Sequence, residues 1–206
     1  MIYVINMQEK EIKDLAISAI VLAFVFAYSG IGNLGDLVIS FPISLLVISL
    51  GFILHEMGHR QIAKRFNCYA EFRLWKNGLL LALVLTFVTN GNLVFAAPGA
   101  VMIYPRADLW GRSEPLSRRG SGLISVAGPV TNLILAGIFV FLGIIYPVGL
   151  LGTIFYLGAR INTWLALFNL IPFPPLDGSK ILAWDIRIWA AMFISTIILF
   201  ASLGFL

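Results

Sequence analysis

The fold is decided by a long apolar stretch, residues 39–63, which reads ISFPISLLVISLGFILHEMGHRQIA. A helix needs roughly 20 mainly apolar residues to cross a bilayer, so this stretch predicts a membrane-spanning helix. It is followed by Lys64 and Arg65, and it contains His55 and His59, the two histidines of the chain. Ionisable side chains are rare in spanning helices and are usually functional there, so the stretch also predicts a functional site.

The composition extends the membrane prediction to the whole chain of 206 residues. Hydrophobic residues make up 60% and charged residues 12%, against about 45–50% and 25% in soluble domains. The chain is therefore expected to be a polytopic membrane protein that has the lipid bilayer as a partner. The net charge of +4 leaves no basic face for a nucleic-acid partner, and the single cysteine, Cys68, excludes an intramolecular disulfide.

The predicted fold class is an all-α polytopic membrane protein with about five transmembrane helices and a small re-entrant β-sheet between the second and third. Each predicted span is an apolar run of adequate length. The spans are Leu15 to about Ile31, Ile39 to Ala63, Gly122 to Ile145, Leu150 to Ile171, and Ile186 or Ile188 to Phe205. A turn that contains glycine, at residues 32–36, separates the first span from the second. Another, at residues 147–149, separates the third span from the fourth.

The sheet is expected in residues 69–104. Residues 69–75 alternate and are rich in aromatics, which is typical of a strand. Residues 79–88 are very apolar but too few to cross as a helix, so they are predicted to be a strand or a loop that dips into the membrane. Residues 92–104 are expected to be extended again, with Pro98 and Gly99 interrupting them. Since unpaired backbone is costly in lipid, the segment must be paired or covered by helices.

The basic residues predict the orientation. All but Arg160 fall on one side of the membrane if the N-terminus is cytoplasmic and the C-terminus outside, which satisfies the positive-inside rule. The expected location is therefore a multi-pass protein, most simply of the cell membrane. Arg160 lies near the middle of the fourth predicted span, where a charge is costly, and a structural role is favoured for it.

Residues 55–59 form an H-E-x-x-H motif. Residues four apart share one face of a helix, so the imidazoles of His55 and His59 are able to coordinate one metal ion. Glu56 is then placed to take a proton from a metal-bound water, whose pKa zinc lowers to near 7. The alternative is a set of hydrogen-bonded polar residues that hold helices together.

A catalytic zinc site normally has three protein ligands and one open position, so a third ligand is needed. With no third histidine, a carboxylate is expected, and Asp177 stands out because it follows the fourth predicted span. Pro172, Pro174 and Pro175 stop that helix and force an extended turn, which allows a carboxylate to reach back into the bundle. The histidines of the second predicted span and Asp177 after the fourth are both predicted near the cytoplasmic side of the membrane. The alternative role for Asp177 is the N-cap of the next helix.

Three motifs together carry a resemblance to a known family. They are the H-E-x-x-H motif at 55–59, G-P-x-x-N at 128–132 and N-x-x-P-x-P-x-L-D-G at 169–178. In their order and spacing the chain resembles the site-2 protease family of intramembrane zinc metalloproteases. The resemblance covers residues 40–180 as a catalytic core, within a single membrane-embedded protease domain of residues 1–206.

The resemblance implies one zinc ion per chain held by His55, His59 and Asp177, with Glu56 as the general base. It also implies that Asn132 and Asn169 position substrate or stabilise the oxyanion, for which interhelical hydrogen bonding is the alternative. Gly128 and Pro129 are expected to shape helix packing.

The expected function is hydrolysis of peptide bonds in or near the transmembrane segments of a membrane-protein or peptide substrate. The alternative is a catalytically inactive metal-binding membrane subunit or scaffold, which would need no Glu56. The sequence leaves the oligomeric state open.

Overall fold

The computed structural model describes residues 9–30, 33–95, 97–106 and 115–204. Within these ranges the chain is mostly helical, with one small sheet, as the composition and the short alternating segments predicted. The elements in chain order are α1 (Glu9–Ala27), α2 (Leu34–Arg65), β1 (Cys68–Leu74), α3 (Lys76–Val88), β2 (Gly99–Pro105), α4 (Arg118–Ile145), α5 (Gly149–Asn169), α6 (Asp177–Trp184) and α7 (Ile186–Ser202).

Three helices of the described ranges are long and apolar enough to cross a membrane. They are Gly35–Arg65, Arg118–Ile145 and Gly149–Asn169, and they contain most of the second, third and fourth predicted spans. Their length and composition are those of a membrane protein. The other two predicted spans correspond to α1, whose first turns are rich in charged residues, and to α7, which has 17 residues. The predicted ends of those spans, at residues 31 and 205, lie outside the described residues, as does part of the predicted turn at 32–36.

Small residues let α2, α4 and α5 approach closely. A Cβ atom added to Gly51 of α2 would lie 2.6 Å from Oδ1 of Asn162 in α5. One added to Gly58 would lie 2.7 Å from Oγ1 of Thr131 in α4. Spanning helices gain most of their association energy from such close packing and from hydrogen bonds between helices. The glycines therefore bring the metal-motif helix against both of its neighbours.

The two strands pair antiparallel, with Tyr69 opposite Tyr104 and Phe72 opposite Val101. β1 covers residues 69–74 of the strand predicted at 69–75, and β2 overlaps the second half of the extended segment predicted at 92–104. Phe72 is 1% exposed and packs edge-on against Phe52 of α2, with 5.4 Å between ring centroids. The sheet is therefore attached to the helix that carries the histidines.

The prediction of a strand or a dipping loop for residues 79–88 is wrong, because these residues belong to the helix α3. Length excluded a helix that crosses the membrane, but a shorter helix satisfies its own backbone hydrogen bonds without crossing. The leucines and Ala82 of this segment favour a helix. Phe87 near its end contacts Phe24 and Tyr28 of α1, with ring centroids 5.7 and 5.3 Å away.

Two carboxylates of α1 close the outer edge of β1. Glu11 is 1% exposed, and its Oε1 accepts hydrogen bonds from the guanidinium of Arg60 and from the backbone N–H of Phe72 at 2.9 Å. Asp14 accepts from the backbone N–H of Leu74 at 3.3 Å. Glu11 thus joins α1 to α2 and β1, and its partner in α2, Arg60, directly follows the second histidine of the motif.

We expect Glu11→Ala to destabilise the protein strongly, because it leaves Arg60 buried without its counter-ion. Breaking a buried pair in this way costs about 3–5 kcal/mol. Glu9→Ala on the same helix is the control, since Glu9 pairs with Lys13 at 2.7 Å where both side chains are largely exposed. Thermal unfolding in mild detergent checks this, and equal midpoints for the two variants would contradict the role given to Glu11.

Candidate metal centre

The two histidines of the motif meet on one face of α2. Their rings are 4.7 Å apart between centroids and nearly perpendicular, and the two Nε2 atoms are 3.0 Å apart. His55 and His59 are 4% and 5% exposed. The predicted four-residue spacing therefore brings two imidazole nitrogens together inside the bundle.

The outer nitrogen of each ring has an acceptor as its partner, and this fixes the tautomer. Nδ1 of His59 lies 2.8 Å from the carbonyl oxygen of Ile124 in α4. Nδ1 of His55 lies 2.5 Å from Oδ1 of Asn132. Because both partners are acceptors, each Nδ1 carries the hydrogen, and each neutral ring has its lone pair on Nε2.

The chain returns to the histidines at the start of α6. After α5, three prolines prevent the helix from continuing, and α6 begins at Asp177, whose side chain is 8% exposed. Its Oδ2 lies 3.4 Å from Nε2 of His55 and 3.0 Å from Nε2 of His59. The N-cap position of α6 is taken by Leu176, and Asp177 is the first helical residue, so Asp177 does not occupy the N-cap position that was its alternative role.

The carboxylate of Asp177 supplies the third ligand atom. Its Oδ2 faces Nε2 of both histidines, so it adds an oxygen electron pair to those of the two imidazoles.

These three donor atoms fit a zinc ion. His55, His59 and Asp177 each offer one ligand atom, and the three atoms lie within 4.8 Å of one another. Tetrahedral zinc with bonds of about 2.0–2.1 Å has its ligand atoms roughly 3.3 Å apart, close to the observed 3.0–3.4 Å. In the neutral tautomer with hydrogens on both Nδ1 atoms, the three facing atoms carry lone pairs, and a cation is the group that this donor set fits.

Gly128 of α4 leaves the space that the donor atoms need. A Cβ atom at this position would collide with Nε2 of both His55 and His59. The G-P-x-x-N motif therefore contributes to the site through the absence of a side chain, which agrees with the predicted packing role of Gly128.

Glu56 borders a small cavity beside the donor atoms. The cavity has a volume of about 30 Å³, which is enough for a water molecule. Glu56 is 6% exposed, and among the described residues its Oε2 has no hydrogen-bond partner. A buried carboxylate oxygen without a partner is costly, and its position beside a water-sized cavity suits proton transfer.

The two predicted asparagines differ in their hydrogen bonds and in the cavities that they border. Asn169 borders the same cavity as Glu56, and its Nδ2 donates to the carbonyl oxygen of Leu165 at 2.9 Å. Asn132 is 0% exposed, and its Oδ1 lies 2.5 Å from Nδ1 of His55. A second small cavity beside His55 and Glu56 is bordered by both asparagines. Asn169 therefore borders both cavities, whereas Asn132 borders the second and contacts the donor set through the imidazole of His55.

Sequence reasoning missed three further groups near the site. Lys180 borders the cavity one helical turn after Asp177, and this spacing could have indicated it. Ser125 and the strand residue Val101 also border the cavity. For these two the sequence carries no local signal, because they reach the cavity only through packing of α4 and β2.

Two curated proteins are similar to the chain over most of its length. One is named "Putative zinc metalloprotease MJ0611", from Methanocaldococcus jannaschii, and is 39% identical, with 91% of each chain covered. The other is named "Putative zinc metalloprotease YwhC", from Bacillus subtilis, and is 33% identical, with 71% of this chain and 73% of the relative covered. The chain belongs to this family of zinc metalloproteases. No protein-family profile matches the chain, and no solved structure is significantly similar to it.

Membership in a zinc metalloprotease family agrees with the donor set found here. The histidines and Asp177 supply nitrogen and oxygen ligands of the kind that zinc takes in catalytic sites, and the cavity beside them suits an open fourth position.

We expect Gly128→Ala to lower the zinc affinity of this metalloprotease at least about tenfold, because the methyl group displaces both imidazoles from their shared position. Gly137→Ala in the same helix is the matched control, since a Cβ atom there has no neighbour within 4 Å. Competition with a chromogenic chelator in detergent measures both affinities. Equal affinities in the two folded variants would contradict the packing role of Gly128.

Proposed function

We propose that the chain is an intramembrane zinc metalloprotease with one zinc ion held by His55, His59 and Asp177. The observation that carries the proposal is the convergence of these three donor atoms within a bundle of helices of membrane-spanning length and composition. The resemblance of the three motifs to site-2 proteases supports the same reading. The substrate would be a peptide bond in or beside a transmembrane segment.

Glu56 is proposed as the general base. Zinc, when bound, polarises the scissile carbonyl and lowers the pKa of its water to near 7. Glu56 takes a proton from the water in the adjoining cavity and returns it to the leaving amine. Among the described residues, Nδ2 of Asn169 donates one hydrogen bond, to the carbonyl oxygen of Leu165, so the second amide hydrogen and the amide oxygen are proposed to orient a substrate that enters the cavity. An inactive metal-binding subunit would have no use for the Glu56 carboxylate at this position.

The free edge of β2 is proposed to hold the substrate in an extended form. Arg106 N–H donates to the carbonyl oxygen of Asn67 at 3.1 Å, and Trp75 N–H to that of Pro98 at 2.8 Å. Bonded pairs alternate in an antiparallel ladder, so the residues of β2 that direct their backbone groups away from β1 are the other set: Gly99, Val101 and Ile103.

This outward set is the edge nearest the candidate metal site. Gly99, Val101 and Ile103 all border the cavity that contains Glu56. On the opposite edge of the sheet, Glu11 and Asp14 already accept hydrogen bonds from two outward N–H groups of β1, those of Phe72 and Leu74. A substrate strand that pairs with β2 would be unwound from its helix, and its peptide bonds would lie beside Glu56.

The proposed orientation has a cytoplasmic N-terminus, an external C-terminus and a site toward the cytoplasmic side, most simply in the cell membrane. It is supported by the positive-inside pattern of the basic residues. The proposed span set adds α1 and α7 to the three long helices, and residues 40–180 form the core of one protease domain. The proposed partners are therefore the bilayer and a membrane-protein or peptide substrate.

We expect Glu56→Gln to keep its zinc and to lose activity by about 10²–10⁴-fold, because the amide takes no proton from water. Zinc content per chain and cleavage of a transmembrane reporter in proteoliposomes are measured on the same preparation. Cleavage at the wild-type rate by the zinc-loaded variant would refute the assignment of the base. A folded wild type that binds no zinc would refute the proposed function itself.

We expect Val101→Pro to raise KM for a transmembrane substrate at least about tenfold with little loss of stability. Proline removes an N–H that points away from β1, where a sheet tolerates it. Met102→Pro is the matched comparison, since the N–H of Met102 faces β1, and its loss should lower the unfolding midpoint. Unchanged KM in a stable Val101→Pro protein would exclude strand pairing at this edge.

A further inference from the structure

A line of buried hydrogen bonds runs from α5 through α4 to the first histidine of the motif. Nδ2 of Asn162 donates to the carbonyl oxygen of Gly158 at 2.9 Å, within α5. Oδ1 of Asn162 accepts from Nδ2 of Asn132 in α4, also at 2.9 Å. Oδ1 of Asn132 then accepts from Nδ1 of His55 at 2.5 Å. Both asparagines are 0% exposed.

The amide of Asn132 has no hydrogen left for a substrate. Its Nδ2 carries two hydrogens and donates to the carbonyl oxygen of Gly51 at 3.1 Å as well as to Asn162. These two acceptors also fix the orientation of the amide, so that its oxygen faces His55. The arrangement differs from the substrate or oxyanion contact that the family resemblance implies for Asn132.

We propose that Asn162 is a positioning residue of the zinc site, which acts through Asn132 to hold the ring plane and tautomer of His55. This inference rests on the proposed zinc-dependent function. Asn162 belongs to none of the three sequence motifs, and no atom of it reaches the donor set. Partners that fix a metal-bound histidine typically change metal affinity 10–100-fold.

The two histidines differ in how they are held. His59 is oriented by a backbone carbonyl, that of Ile124, which no side-chain substitution removes. His55 depends on side chains from two other helices. Gly51 leaves room for this chain of bonds, because a Cβ atom there would press on Oδ1 of Asn162. Removing the Asn162 amide therefore acts on one ligand of the three.

The first test compares Asn162→Ala with Thr163→Ala. Thr163 is the adjacent residue and is also 0% exposed. Its hydroxyl donates to the carbonyl oxygen of Ala159 in its own helix at 2.8 Å, and within the described ranges it bonds no other helix. Zinc affinity is measured by chelator competition in detergent, with helix content and unfolding midpoint recorded for each variant. Asn162→Ala is expected to bind zinc 10–100-fold more weakly than wild type, and Thr163→Ala within about threefold of it.

A double-mutant cycle separates positioning from general packing. If Asn162 acts only through Asn132, the pair Asn132→Ala and Asn162→Ala together should bind zinc no more weakly than Asn132→Ala alone. If the losses of zinc affinity in the two single variants add in the double variant, Asn162 does not act through Asn132 and the proposal is overturned. Asn162→Asp keeps the side-chain size and the oxygen that accepts from Asn132, and its protonated carboxyl group donates to the carbonyl oxygen of Gly158 in place of the amide. It should therefore retain most of the affinity even if Asn162→Ala does not fold. Loss of zinc in a folded Asn162→Asp protein would also overturn the proposal.

Failure of this inference differs from failure of the proposed function. Wild type without zinc refutes the zinc-dependent function. Wild type with zinc, together with a folded Asn162→Ala that binds zinc equally tightly, refutes only the positioning role. If Asn132→Ala keeps its zinc affinity and loses kcat alone, Asn132 is a substrate or oxyanion contact and the positioning role is overturned.

Discussion

The architecture depends on the close approach of three ligand atoms inside an apolar bundle. Nε2 of His55, Nε2 of His59 and Oδ2 of Asp177 lie 3.0–3.4 Å apart. In the neutral rings whose Nδ1 hydrogens point outward, the inner nitrogens carry lone pairs, and a cation shared among the three atoms stabilises such a buried cluster. The donor set fits zinc, and the relatives are named as zinc metalloproteases.

Several further features of the structure position these three ligand atoms. Gly128 lacks the side chain that would displace the imidazoles, and the prolines after α5 end the helix so that Asp177 turns back into the bundle. Ile124 and Asn132 accept the outer hydrogens of the rings, which leaves the inner nitrogens as lone-pair donors. Each of these features restricts the position or the tautomer of a ligand side chain. In a metal site, small displacements of a ligand weaken metal binding.

The sequence predicted the parts of the site that local spacing encodes. The positions of His55 and His59 follow from helical periodicity, and that of Asp177 follows from the proline-rich turn that precedes it. The character of residues 79–88 was not predictable, because a short apolar run fits a strand or a short helix equally well. The links of Glu11 to Arg60 and of Asn162 to Asn132 were also missed. They join residues far apart in the chain, and only packing of the helices brings them together.

The edge of β2 lies beside the cavity, and this position meets the need of its backbone groups for hydrogen-bond partners. An open strand edge has no place in lipid, because its backbone groups would lack hydrogen-bond partners. The edge of β1 is closed by the carboxylates of Glu11 and Asp14, whereas the edge of β2 borders the cavity that contains Glu56. A cavity that admits water is a place where unpaired backbone groups are tolerated near a bilayer. The proposed hydrolysis consumes water, and its substrate would pair with the edge of β2. Both are therefore expected in the same cavity, on the side of the sheet that α1 does not cover.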